Sequence, residues 1–421
     1  MKTIIQCKEF TTRNLTVHPS LAPRMKLVGA SPTAEISNKV RALTAAGHSV
    51  INLGEGELDF ATPEAICEAG IAAIRDGDTK YTAVAGTAEL KAAIQRKFAR
   101  ENSLSYEPSE IIAGAGAKQL IFNALLATLA SGDEVIVPAP YWVSYPDMIR
   151  LAGGEPVIVQ CSAAESWKLT PAALSAALTP QTKWVILNSP NNPTGAVYSN
   201  AEMKALTDVL LGHDGVLIMA DDIYEHVRFE GEFATPAAIE PALKARVLTV
   251  NGLSKGYSMT GWRLGYAAGP AWLIEAMQVL QSQSTSNPSS ISQRAAIAAL
   301  DGGIGFMADW IETLRQRRDI VLAALGKIDG LHADTPEGAF YVFADCSKLL
   351  GTARPDGRVI SSDLEFASYL LETAHVGVVH GSAFGAPGHV RIAYAVDTET
   401  LRTACDRIVD ACAKLHGRNA A

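Results

Sequence analysis

The sequence predicts an α/β fold, with a large domain on a mainly parallel central sheet and a smaller α/β domain built from both chain ends. Three observations predict it. Through the middle of the chain, short β-branched runs alternate with longer helical stretches, the pattern of parallel strands joined by crossover helices. Those runs end at once in polar or glycine-rich residues. After about residue 300 the texture changes to an amphipathic helix followed by short strands.

In chain order, AEISNKVRALTAAG (34–47) reads as a helix that joins the second unit. EIIAGAGAKQLIFNALLATLASGDEVIVP gives a strand at 110–113, a turn at 114–116, a buried helix at 117–130, a stop at 131–133 and a strand at 134–137. KWVILN (183–188), GVLIMA (215–220) and ARVLTV (245–250) are further strands. WIETLRQRRDIVLAAL (310–325) reads as a helix, and AFYVFAD (339–345), HVGVVH (375–380) and HVRIAYA (389–395) as strands. The expected division is 1–60 for an N-terminal arm and part of the small domain, 61–300 for the large domain, and 301–421 for the rest of the small one.

Composition narrows the function. The 421 residues are 48% hydrophobic and 19% charged, which is globular. A net charge of -8 supplies no overall field for nucleic acid or an anionic membrane. The opening segment lacks the apolar core of a secretory signal, and no run approaches the roughly 20 apolar residues of a spanning helix; a cytoplasmic protein is the expectation. The six cysteines follow neither a disulfide framework nor a zinc pattern. Neither His226 nor His380 has metal-ligand spacing, and no metal is expected.

Sites in open α/β sheets gather at the carboxyl ends of strands. Behind the predicted strands stand Asn191-Asn192, Asp221-Asp222 and Lys255. GLSKGYSMTGWRLGY (252–266) carries two cations, Lys255 and Arg263, with almost no counter-charge in the segment. An amine in that place loses its proton more easily than a solvated one and becomes a nucleophile able to form a Schiff base. Plainer readings stand beside the functional ones: a loop carboxylate or helix cap for Asp221, a turn residue for Asn192, core packing for Trp142, a half-buried loop aromatic for Tyr81, an edge-strand charge for Arg391 and a structural salt bridge for Arg263. GAGAKQ (114–119) is neither a Walker loop nor a dinucleotide fingerprint.

GLSKGYSMTGWRLG resembles the cofactor-lysine signature of the class I (fold type I) aminotransferases, and NSPNNPTG, DDIYEH, PYWVSYPDM and GHVRIAYA are similar to that family's other motifs. The likeness extends from about residue 25 to 415 and is nearest in texture to the bacterial aspartate aminotransferase subgroup, which includes prephenate and aromatic aminotransferases. It implies pyridoxal 5'-phosphate bound to Lys255. Asp221 would pair with the pyridine nitrogen, and Tyr224 and Asn192 with the ring hydroxyl oxygen. Trp142 would lie on the ring face. Arg263, the helix start at Gly116, Ala117 and Lys118, and Tyr81 of a second chain would hold the phosphate, which makes the protein a homodimer with shared sites. Arg391 would clamp the substrate carboxylate, with Gly56 close by.

The reaction so implied moves an amino group from an L-amino acid to a 2-oxo acid, with aspartate or glutamate and 2-oxoglutarate as first choice because Lys118, disfavoured at a helix start, would meet a distal carboxylate. An aromatic or prephenate aminotransferase, or a Cβ lyase on the same fold, is the alternative. The sequence departs from the subgroup at Gly252, where relatives often carry serine, leaving Ser254 as a substitute. It departs again at Glu55 and Leu58 beside the substrate glycine, expected to alter pocket shape or charge, and at Gly29, where relatives acting on prephenate have lysine.

Overall fold

The computed structural model describes His18 and residues 20–418. Cys7 and most of the opening segment lie outside them. After the helix α1 (Pro32–Ala45) and a short strand β1 (Ile51–Asn52) comes a seven-stranded sheet made of β2 (Ile111–Gly114), β3 (Glu134–Ala139), β4 (Glu155–Gln160), β5 (Thr182–Asn188), β6 (Leu217–Asp221), β7 (Val247–Gly252) and β8 (Gly265–Ala268). Their spatial order is β2-β8-β7-β6-β5-β3-β4. β4, β3, β5, β6 and β7 pair in parallel, and β8 runs antiparallel to both its neighbours, β7 and β2.

Continuous apolar runs suit strands buried on both faces, and every residue of β6 and β7 is buried. One face packs under the helices α2 (Glu64–Arg75) and α3 (Ala88–Asn102) together with Ser290–Gly302, sharing a core of Ile94, Phe98, Ile218 and Leu264. The other face lies under α4 (Ala117–Thr128), in a core that includes Leu120, Trp184, Met219 and Leu273.

The C-terminal strands are β9 (His332–Ala333), β10 (Tyr341–Asp345), β11 (Thr352–Ala353), β12 (Val376–Gly377), β13 (Val379–His380), β14 (His389–Ala393) and β15 (His416–Arg418). β13, β14, β10 and β9 form an antiparallel sheet against the helices Met307–Leu325 and Thr398–Cys412, with Phe340, Phe366, Ile392 and Leu401 in the core between them. HVGVVH, expected as one strand, is two. Val376–Gly377 pairs in parallel with Ile51–Asn52, and Val379–His380 then turns to β14. The change of partner breaks the strand at Val378, and the first pairing ties the early chain to its far end.

The segment entering β10 is stitched to the loops behind β5 and β6. Glu337 and Gly338 both donate to the Gly195 carbonyl at 3.1 and 2.8 Å, and Ala339 donates to Val227 at 2.8 Å. β10 is thereby held over the carboxyl ends of the parallel strands. No helix among the described residues is long and apolar enough to cross a membrane.

Candidate active site

At those strand ends lies a cavity of about 370 Å³ lined by Gly116, Ala117, Lys118, Trp142, Asn192, Asp221, Tyr224, Lys255, Arg263 and Arg391. Gly56 also lines it, so of the sequence-predicted residues only Tyr81 stands apart. Tyr81 is 91% exposed, not half-buried as its plainer reading supposed.

Asp221 ends β6, and its carboxylate turns into the cavity while Asp222 turns away, as neighbouring side chains on an extended chain do. Tyr145 donates a hydrogen bond to Asp221 Oδ2, and Asn188 Nδ2 holds the Asp221 carbonyl at 2.8 Å. Oδ1 is buried with no hydrogen-bond partner. Burial pushes the Asp221 carboxyl up to about 6, against the opposing pull of the Tyr145 hydroxyl.

Lys255 follows β7, and its Nζ donates to the Gly56 carbonyl. Burial, and then the Arg391 guanidinium, bring its ammonium down to about 8 although Glu57 and Asp221 pull the other way. Among the described residues no carboxylate lies within ion-pair distance of either Lys255 or Arg263. Arg263 is instead held by backbone, donating to Thr260 O at 2.9 Å and Ala115 O at 3.2 Å. Its guanidinium borders the start of α4, where a Cβ on Gly116 would sit 2.6 Å from Nη2. Gly116 also has φ +92°, open to glycine at little cost.

A helix start leaves its first N–H groups without intrahelical acceptors. Ala117 and Lys118 are such groups, but the Gly116 N–H is taken by Gly114 O at 2.8 Å, so the expected trio of backbone donors is a pair. The Lys118 ammonium lies over the Trp142 ring, 4.8 Å from its centroid. That aromatic face offsets part of the helix-start penalty before any ligand is considered. Burial, with Arg263 nearby, holds Lys118 below the usual lysine range.

Arg391, in the middle of β14, is 2% exposed. It donates from Nη1 to Asn192 Oδ1 at 2.9 Å and from Nη2 to Gly54 O at 2.6 Å. Its Nε is buried and unpartnered.

Glu55 and Leu58 do not line the cavity. Glu55 faces outward, 4.0 Å from Arg41, and Leu58 is buried in the core. Glu57, passed over in the sequence, lines the cavity instead. Gly252 lies behind it, with Gly265 Cα 3.1 Å from where a side chain would begin, whereas Ser254 lines it. Sequence reasoning also missed Asn188, Tyr145 and Tyr341. Asn188 and Tyr145 sat inside motifs already singled out; Tyr341 carried no signal beyond its strand.

Elsewhere, Glu101, Glu225 and His226 group closely enough to hold an ion, and the Lys97 ammonium lies among them, bonded to Glu225 and, at 2.7 Å, to Asn102. His380 lies on β13 opposite Val390. Cys161, Cys346, Cys405 and Cys412 are buried and Cys67 half-buried, all unpaired.

The residues fit the cofactor implied by the sequence. A buried acceptor atom without a partner faces the cavity at Asp221, a cationic fork without a carboxylate stands beside free helix N–H groups, and a half-buried amine lines the same cavity.

The chain matches the family model described as aminotransferase class I and II over residues 48–408. It is 51% identical over 395 residues to an aspartate aminotransferase of Rhizobium meliloti (strain 1021), covering 94% of this chain and 96% of that one. To an aspartate/prephenate aminotransferase of Cereibacter sphaeroides it is 54% identical over 396 residues, 94% and 99% of the two chains. Among solved structures it is similar to the Rhizobium meliloti aspartate aminotransferase (TM-score 0.91, 51% identity, 94% and 99% covered). It is also similar to the Thermus thermophilus aspartate aminotransferase with maleate (TM-score 0.87, 42% identity, 94% and 100% covered).

Proposed function

The chain belongs to the class I and II aminotransferases and depends on pyridoxal 5'-phosphate, and from that premise we propose that it transfers the amino group of aspartate or glutamate to 2-oxoglutarate. The observation that carries the site is the convergence of Lys255, Asp221, Arg263 and Arg391 on one cavity.

Pyridoxal 5'-phosphate, when bound, supplies an electron-accepting ring that lets a Cα–H bond of an amino acid break. The rest is the work of the chain. Lys255 Nζ would anchor the cofactor and, as a free amine, would carry the substrate's Cα proton, a task suited to an ammonium brought down to about 8. Asp221, through its unpartnered Oδ1, would keep the ring nitrogen protonated. Tyr224 and Asn192 would hydrogen-bond the ring oxygen, and Trp142 would cover the ring face. Arg263 and the N–H groups of Ala117 and Lys118 would bind the phosphate, where helix dipole and guanidinium act together. Arg391 takes the α-carboxylate with its planar fork, exchanging the Asn192 and Gly54 acceptors it now holds.

Lys118 would meet the distal carboxylate of a dicarboxylic substrate at the Trp142 edge of the cavity. The maleate named with the Thermus thermophilus relative is a four-carbon dicarboxylate and supports this choice. The Cereibacter sphaeroides name favours a second acceptor, prephenate, although Gly29 offers no cation there. Tyr81 is proposed to reach the phosphate of a second copy, giving a homodimer with shared sites that works in the cytoplasm.

A panel of amino donors, followed through the visible absorbance of the loaded protein, tests the reading. Aspartate and glutamate should convert it first, and borohydride should tag the peptide containing Lys255. Response to aromatic donors alone would remove Lys118 from its role, and pyruvate release from cysteine conjugates would reveal a Cβ lyase.

A further inference from the structure

Tyr341, on β10, is fully buried, and its hydroxyl lies 2.7 Å from that of Tyr224. Its ring faces Arg391, whose guanidinium carbon is 4.5 Å from the ring centroid. A Cβ on residue 56 would run into the Tyr341 hydroxyl, so Gly56 is what lets that hydroxyl reach Tyr224. The same Gly56 accepts the hydrogen bond of Lys255 Nζ.

Counting protons gives the pair a direction. Burial keeps both phenols above their ordinary value, so each retains its hydrogen. Two hydroxyls share one hydrogen bond. If Tyr224 donated to Tyr341, no hydrogen would remain for a ring oxygen in the cavity; if Tyr341 donates to Tyr224, the Tyr224 hydrogen is free and its oxygen is already satisfied.

We infer that Tyr341 is a positioning residue of this reaction, its hydroxyl aiming Tyr224 and its ring face holding Arg391, so that the cofactor-oxygen side and the substrate-carboxylate side of the site meet in one side chain. The inference rests on the proposed reading of the cavity as the cofactor site of Lys255. A cation held over an aromatic face out of water is a strong pairing, and it fixes the fork that receives the carboxylate.

The test uses loaded protein and the variants Tyr341→Phe, Tyr341→Leu, Tyr224→Phe and the double Tyr224→Phe/Tyr341→Phe. Tyr341→Phe keeps the ring and removes only the hydroxyl. It should shift the pH titration of the visible absorbance by about half a pH unit, in the direction of Tyr224→Phe. Its KM for aspartate should stay within about threefold, since the ring face still holds Arg391. The double variant should titrate like Tyr224→Phe alone, because the two hydroxyls act as one unit. Tyr341→Leu should weaken maleate binding, measured by calorimetry, by about tenfold.

A Tyr341→Phe protein that titrates with the parent, a double variant whose shifts add, or unchanged maleate binding by Tyr341→Leu would each overturn the inference. Parent protein that took up no pyridoxal 5'-phosphate would overturn the reading of the site and this inference with it. Normal uptake with an unshifted Tyr341→Phe would overturn this inference alone.

Discussion

Asp221 is a carboxylate kept from water with one oxygen bonded to Tyr145 and the other unused. Its folded-state value, near 6, lies above the ordinary 3.8. The folded protein therefore holds that proton more tightly than the unfolded chain, and the associated stability is complete below 3.8 and lost as pH rises through 6. In cofactor-free protein, Asp221→Asn should be more stable than the parent by about 2 kcal/mol at pH 8, with the gap closing by pH 4. Urea unfolding at both values measures it. Lys255 gives the opposite sign of shift. Labelling of cofactor-free protein with an acylating reagent, read by mass spectrometry at the peptide containing Lys255, should rise with a midpoint near pH 8. Replacing Arg391 by leucine should move that midpoint upward, because a neighbouring cation is removed. These residue types were legible in the sequence because each motif carried its own chemistry. Tyr341 was not, since a tyrosine in an apolar strand reads the same whether it fills a core or aims a neighbour.

At the scale of elements, the approach of β8 to the start of α4 shapes the anion end of the cavity. Gly265 has no room for a side chain, since a Cβ there would strike the backbone nitrogen of Ala117. Gly265→Ala should destabilise the cofactor-free protein by about 1–3 kcal/mol, as overpacking does. It should also weaken pyridoxal 5'-phosphate binding, measured by fluorescence quenching, more than it weakens Arg391-dependent maleate binding. The helix at 117 and the strands ending at Asn188, Asp221 and Gly252 followed from apolar runs with clear stops. β8 escaped because GYAA is short and built of small residues, and what makes it a strand is the gap between β2 and β7. HVGVVH misled for a related reason: alternation records which residues are buried, not which strand they pair with.

For the whole molecule, Tyr81 carries the sharpest expectation. An aromatic residue that is 91% exposed has no packing role within its own chain. If it completes the site of a second copy, Tyr81→Ala and Lys255→Ala homodimers should each be nearly inactive. Mixed and reassembled, they should recover about a quarter of parental activity, because hybrid dimers hold one intact site of two. Failure to recover would leave each chain with a complete site of its own. The bond from Arg391 to the Gly54 carbonyl joins positions far apart in the chain. The proposed nucleophile and phosphate cation, Lys255 and Arg263, lie before residue 300, whereas Arg391, the guanidinium proposed to take the carboxylate, lies well after it. On the proposed reading, selection of the amino acid therefore depends on a residue supplied by the C-terminal part of the chain.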